Sequence, residues 1–305
     1  MICELCCELR SLGVDRGGRP ITGQVRATRS VLVTGSTAGI GFATARALAL
    51  AGSQVIVHGP DLDTAHLAAT RIREQVPDAN VEVVAADLTS QVAVRELADT
   101  IQDGFRTLDV LINNAAAVFD RYTTNGDDVE LTLAVNYIAV YLLSRLLLPT
   151  IERSIDGRIV VVASEAHRGI SLDFDDLQSR HGYERFEAYQ RSKLADLLFT
   201  YELARRVRPR SIAVIAMHPG TSTTKLFRPR NPVERVAMSI LNITARSPQH
   251  GADTAAWLAT SDEALRLHGC YIHDRQIVES SDESQDLVTA TRLWNATAAM
   301  TGLES

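Results

Sequence analysis

From residue 30 the chain alternates short apolar runs with longer segments of helical period. The runs are Val31-Leu32-Val33, Gln54-Val55-Ile56-Val57-His58, Val81-Glu82-Val83-Val84-Ala85-Ala86 and Leu108-Asp109-Val110-Leu111-Ile112, followed by residues 158–163, 211–217 and 269–272. Each is too short for a helix and rich in β-branched residues. Near-continuous apolar character fits strands buried on both faces. Between them, helical spacing predicts helices over 42–50, 62–72, about 90–102, 127–150, 186–207 and 248–260. Asp61 is placed to cap the second of these, and Pro248 suits a first helical turn. Such alternation predicts one α/β domain. Its sheet is parallel and doubly wound, with about seven strands, helices on both faces and right-handed crossovers.

Composition narrows the partners. The chain has 305 residues and a formal net charge of -6. One core is expected, over 29–280, with a disordered lead-in over 1–28 and a C-terminal helical tail over 281–305. A mildly acidic balance argues against nucleic acid, which requires a basic face. Of four cysteines, Cys3, Cys6 and Cys7 fall in the first seven residues. No further Cys or His lies near them, so they read as incidental thiols of a tail, and no metal site is expected. The most apolar stretch, 138–149, contains Ser144 and Arg145 and is too short to span a bilayer. A cytoplasmic protein without a membrane anchor is expected.

The first strand enters Thr34-Gly35-Ser36-Thr37-Ala38-Gly39-Ile40-Gly41, and a helix begins at once. Gly35 permits the tight turn. Gly39 lets a backbone approach a diphosphate, and Gly41 allows close packing of the helix. The free amides at the helix start then face an anion. This makes a Rossmann-type fold with a nucleotide-phosphate site the expectation. Ligands of such sheets lie beyond the carboxyl ends of the strands. That rule gathers the glycine turn, His58 to Asp61, Asp87-Leu88 and Asn113 to Ala116 at one end.

Tyr189-Gln190-Arg191-Ser192-Lys193 is the second informative stretch. Residues i and i+4 share a helix face, so a phenol and an ammonium converge. A free phenol has a pKa of about 10, and a neighbouring cation favours its ionised form. The pair is a plausible acid/base unit for an alcohol oxygen, although Tyr-x-x-x-Lys alone is common on surfaces. Ser164, at the end of the fifth strand, either polarises a substrate carbonyl or caps a turn. Asn136 lies mid-helix, where Asn tends to bond backbone.

With these motifs in this order, the sequence resembles the short-chain dehydrogenase/reductase family from about residue 29 to 275. Thr34 to Gly41 matches its Thr-Gly-x-x-x-Gly-x-Gly motif. Asn113-Asn114-Ala115-Ala116 looks like its Asn-Asn-Ala-Gly motif, with Ala116 replacing Gly. Asn136, Ser164, Tyr189 and Lys193 match its tetrad. Asp127 to Asn136, the long interval from Ser164 to Tyr189, the run Tyr189 to Phe199, Met217-His218-Pro219-Gly220, Gly269-Cys270-Tyr271 and Leu293-Trp294 resemble the retinol-dehydrogenase-like branch.

The resemblance implies an NAD(P)-dependent oxidoreductase. Tyr189 would exchange the proton. Lys193 would favour its ionised form and bind the nicotinamide ribose. Ser164 would orient the substrate oxygen, and Asn136 would hold a relay water. Cofactor contacts are expected from Gly35, Ser36, Thr37, Gly39, Ile40, Gly41, His58, Gly59, Asp87, Leu88, Asn113, Ala115, Tyr189, Lys193, Pro219, Gly220 and Thr221. No acid follows the second strand at Gly59, which favours NADP(H) over NAD(H). Pro60 stands where relatives often have Arg. Ser36, Thr37 and His58 are the remaining candidates to meet a 2′-phosphate. The segment 221–246 is apolar at Leu226, Phe227, Met238, Ile240 and Leu241, and is broken by Pro229 and Pro232. It reads as a lid over a small lipophilic alcohol, aldehyde or ketone. A homodimer or homotetramer through the long helices is expected. The competing functions are a silent nucleotide-binding regulator and a sugar-nucleotide epimerase or dehydratase.

Overall fold

The computed structural model describes residues 28–207, 212–220 and 247–305. The expected lead-in (save residue 28), Thr221 and the expected lid lie outside the described residues. Among the described residues, eight strands form one sheet: β1 (Ser30–Val33), β2 (Gln54–Gly59), β3 (Val81–Ala85), β4 (Val110–Asn113), β5 (Gly157–Val162), β6 (Ile212–Met217), β7 (Tyr271–His273) and β8 (Gln276–Ile277). Their order is β3-β2-β1-β4-β5-β6-β7-β8. All neighbours pair parallel except β7 and β8. The chain runs outward from β1 to β3 and then returns to place β4 on the other side of β1. That reversal opens a crevice at the carboxyl ends of β1 and β4, where α/β sheets bind ligands.

The helices are α1 (Gly39–Leu50), α2 (Leu62–Gln75), α3 (Gln91–Gly104), α4 (Leu131–Ile151), α5 (Arg185–Arg206), α6 (Pro248–Thr260) and α7 (Leu287–Thr301). Successive strand residues point to opposite faces, and the core divides accordingly. Leu32, Ile56, Leu111, Ile159 and Val161 pack with α3, α4, α5 and α7. Val31, Val33, Val55, Val57, Ile112 and Val160 pack with α1, α2 and α6. Asp61 caps α2 as expected, accepting from Thr64 N at 2.8 Å.

Two elements differ from the sequence expectation. The helix expected from 127 starts at Leu131. Before it, Asn125 Oδ1 accepts from the amides of Asp127 and Val129, and Asp128 takes a φ of 56°. Those side-chain bonds satisfy backbone groups that a helix would otherwise use. Glu130 then caps the helix, accepting from Thr132 N and Leu133 N. The eighth strand was not expected, because its turn uses Asp274 and Arg275 in left-handed conformations instead of glycine.

At 21 residues, α4 is longer than its most apolar stretch, and by length and composition it could cross a membrane. Here 78% of its apolar window is buried inside the fold. Its neighbours are α3, α5 and the sheet. On the outer side of α4 and α5, α7 seats Trp294 against Tyr141 and Phe199, with ring centroids 5.1 and 6.0 Å apart. Arg145 and Arg206 lie over the same indole at 4.6 and 4.2 Å.

Candidate active site

The glycine turn is tied to the loop after β4. Thr34 Oγ1 accepts from the amides of Asn114 and Ala115 at 2.9 and 3.0 Å. The Asn114 amide returns bonds to Thr34 O and Gly35 O at 2.9 and 3.3 Å. Gly35 takes a φ of +63°, and a Cβ there would meet Ala115 Cα at 2.8 Å. A Cβ on Gly41 would stand 2.3 Å from Gly35 O. Gly39 is different: no described residue would lie within 4 Å of a Cβ there. Ala38, at the start of α1, supplies no side-chain cap, and no acid stands in the first turn. The first amides of α1, Ile40 among them, thus have no side-chain cap from Ala38, and amides so placed suit an anion.

His58 and Ser36 hold this turn from beneath. Gly35 N donates to His58 Nδ1 at 3.1 Å, and His58 N donates to Ser36 Oγ at 2.9 Å. Burial pushes the His58 imidazole down to about 4, so it is neutral at pH 7. Both side chains are buried, and each bonds the loop through one atom. Of the three candidates for a 2′-phosphate, Thr37 has the accessible side chain. Gly59 lies against it, with a Cβ position 2.8 Å from Thr37 Cγ2. Asp87 is exposed at the rim and accepts from Thr89 N at 2.9 Å. Leu88, Asn113 and Ala115 pack together with Thr34, Val135 and Ala139 around a gap too small for a water. The Asn113 amide is itself held by Ser144 Oγ at 2.9 Å.

The other half of the site is built on α4, α5 and the loop after β5. Residues Ala134–Ile138 of α4 form a π-turn, a local widening often found at functional positions. Asn136 lies within it, fully buried. Its Oδ1 accepts from Ala117 N at 2.7 Å, and its Nδ2 donates to Ala117 O and to Ser192 Oγ, each at 3.0 Å. Asn136 thus joins the loop after β4 to α5. Ser192 Oγ in turn donates to Tyr189 O at 2.7 Å.

Ser164 leaves the end of β5 as the cap of a short turn, Glu165–His167. Its Oγ accepts from Ala166 N at 3.2 Å. Gln190 Nε2 ties that turn to α5 through Ala166 O at 3.1 Å. Both sequence readings of Ser164 are therefore compatible: it caps, and it stands at the mouth of the sheet. Tyr189 is half-buried on α5. Lys193 Nζ lies 5.9 Å from its ring centroid and donates to Val162 O at 2.9 Å. After β6, His218 stacks on His273 at 3.9 Å and accepts from Gly220 N at 3.2 Å. Pro219 packs against Gly251 of α6, where a Cβ would come within 2.6 Å. Burial, and then His273, push His218 down to about 4.

Ser192 and Asp196 escaped the sequence reading of the site. The Ser-Lys step was a visible signal for the first. Asp196 is an acid in an apolar helical run, Leu194-Ala195-Asp196-Leu197-Leu198, and that was the available signal for the second.

A reversed parallel sheet, a glycine turn feeding an uncapped helix and a Tyr/Lys helix at the same end define a dinucleotide-binding α/β protein. The short chain dehydrogenase family model matches residues 29–235, and the chain belongs to that family of oxidoreductases. It is retinol-dehydrogenase-like: retinol dehydrogenase 14 of Mus musculus is 33% identical over 289 residues, 90% of this chain and 86% of that one. A Streptomyces sp. (strain C5) protein, provisionally named daunorubicin C-13 ketoreductase DnrU, is 36% identical over 296 residues, 95% of this chain and 96% of that one. A structure from Beutenbergia cavernae, provisionally an NAD(P)-dependent gluconate 5-dehydrogenase with NADP bound at low occupancy, superposes with a TM-score of 0.66. It is 29% identical and covers 82% of this chain and 96% of that one.

Proposed function

We propose that the protein moves hydride between NADP(H) and a lipophilic alcohol or carbonyl, with Tyr189 and Lys193 as its proton-handling pair. The observation that carries this is the placement of the Lys193 ammonium, buried and 5.9 Å from the Tyr189 ring, at the carboxyl end of the sheet. A nicotinamide dinucleotide suits the residues present. The open backbone at Gly39 and the uncapped amides of α1 fit a diphosphate. When bound, the nicotinamide supplies or takes the hydride.

The residues divide the remaining work. Tyr189 Oη gives a proton to the substrate oxygen in reduction and takes one in oxidation. Lys193 favours the ionised phenol and offers its remaining N–H to the ribose. Ser164 Oγ orients the substrate oxygen. Asn136 holds the loop after β4 against α5, and a water on it would extend the proton path from Lys193. Pro219 and Gly220 border the nicotinamide end.

NADP(H) over NAD(H) is supported by the lack of an acid at Gly59 and by Asp61, whose carboxylate is engaged in capping α2. The bound NADP of the Beutenbergia structure accords with this. The printed names of the retinol dehydrogenase and ketoreductase relatives favour a bulky lipophilic substrate, as does the apolar character of 221–246. α4 packs inside the fold, with most of its apolar window buried. The test is a fluorescence titration with NADPH and NADH, followed by an alcohol and carbonyl panel read by nicotinamide absorbance. Tighter NADPH binding and rates that rise with alkyl chain length are expected, since each buried CH₂ contributes about 0.8 kcal/mol. A lower KM for NAD than for NADP at equal kcat would reverse the cofactor assignment. A small charged best substrate would reverse the substrate class.

A further inference from the structure

Asp196 stands three residues beyond Lys193 on α5, on the same helix face. Neither side chain reaches solvent: Lys193 is 3% exposed and Asp196 0%. Lys193 Nζ donates to Asp196 Oδ2 at 2.9 Å, as it does to Val162 O. Among the described residues, Asp196 Oδ1 has no hydrogen-bond partner. A buried carboxylate with one oxygen unpaired is costly. Its neighbours Leu194, Leu197 and Leu198 already supply the apolar packing of this turn. The carboxylate therefore has its main effect on the cation beside Tyr189.

Ionised, Asp196 cancels most of the Lys193 charge felt at Tyr189. Protonated, it leaves that charge uncompensated. Tyr137, from the π-turn of α4, also faces Asp196. Its hydroxyl is held by Thr297 Oγ1 at 2.8 Å, and burial raises its pKa far enough to keep it a neutral phenol. From β5 the pair meets the neutral Val162 carbonyl.

We propose that Asp196 is a positioning residue: it fixes Lys193 and offsets its charge, so that the Asp196–Lys193 pair sets the pH at which Tyr189 exchanges its proton. This rests on the reading of Tyr189 as the proton donor and acceptor. Burial pushes the Asp196 carboxyl up to about 6 against the pull of Lys193. Lys193 is opposed by burial, yet Asp196 and Tyr189 hold it above the ordinary lysine value. Both shifts have the same sense, so the pair retains a proton readily. As pH falls through about 6, Asp196 becomes neutral and the lysine field on Tyr189 strengthens.

The test compares the natural protein with Asp196→Asn and Asp196→Ser, each alone and combined with Tyr189→Phe. The near-ultraviolet tyrosinate absorbance of each pair is titrated without cofactor or substrate, and the difference isolates Tyr189 from the other six tyrosines. A unit charge several ångströms away, at an effective dielectric of about 20, is worth on the order of one pH unit. The Tyr189 midpoint is expected to fall by about that amount in both variants. The rising limb of 1-decanol oxidation with NADP should move the same way. An unmoved midpoint in both variants, or lower rates with an unmoved profile, overturns the proposal. So does failure of both variants to fold, which would make Asp196 purely structural. Turnover that survives Tyr189→Phe would instead sink the acid/base reading of Tyr189 and leave the titration result standing.

Discussion

A single methyl group tests the glycine turn most sharply. A Cβ on Gly41 would stand 2.3 Å from Gly35 O and 2.4 Å from Asn114 Nδ2, and the first of these is backbone that cannot swing aside. Gly41→Ala is expected to cost about 1–3 kcal/mol of stability, as overpacking does, and to weaken NADPH binding at least about tenfold. Gly39→Ala has room for its methyl in the free protein, so its stability cost is that of the φ of +56°, about 1–2 kcal/mol, while the methyl would stand where the diphosphate is proposed to lie and should weaken NADPH binding as well. Urea melts and NADPH fluorescence titrations of both variants measure these effects; unchanged NADPH affinity in Gly39→Ala would contradict the diphosphate site. At this scale the sequence was legible wherever residue type and spacing carry chemistry, as in the glycine turn and the Tyr189/Lys193 face. Side-chain direction was not legible. Ser36 and His58 were candidates to meet a 2′-phosphate, and both bond the turn: Ser36 Oγ accepts from His58 N, and His58 Nδ1 accepts from Gly35 N. Their neighbours in sequence hold no sign of that inward turn.

Among the elements, strands were the most readable, because continuous β-branched runs follow directly from burial on both faces of a parallel sheet. The start of α4 was harder, since its boundary is set by Asn125 bonding its own backbone. The π-turn around Asn136 left no periodic trace either. It depends on the tertiary bonds from Asn136 to Ala117 and Ser192. The C-terminal helix α7 was expected as a tail, and it seats Trp294 in the core face of α4 and α5. Truncating that indole should therefore behave as a core deletion. Trp294→Ala is expected to cost about 3–5 kcal/mol, read as a lower urea midpoint at unchanged slope. A loss within about 0.5 kcal/mol would show that α7 is only loosely attached. An assembly through the long helices would have to pack beside this indole, because Tyr141 and Phe199 are already engaged by it.

For the whole molecule, acid should act first through buried imidazoles. Burial pushes His58 and His218 down to about 4, and it lowers His167 and His268 in the same direction. The unfolded chain binds protons on these groups at a higher pH than the folded one does. Their stabilisation is thus complete above pH about 6.5 and is lost as pH falls toward about 4. Asp196, pushed up to about 6, acts oppositely and gains stability on acidification over much the same window. The histidines outnumber it, so Tm should fall between pH about 6.5 and 4; a flat Tm there would contradict this balance. The central claim concerns the pair at the carboxyl end of the sheet, and Tyr189→Phe addresses it directly. With NADPH and decanal, turnover by this variant is expected to fall at least about 10²-fold, the usual loss for a removed general acid, while the NADPH Kd stays unchanged. Near-normal kcat in Tyr189→Phe would contradict the account.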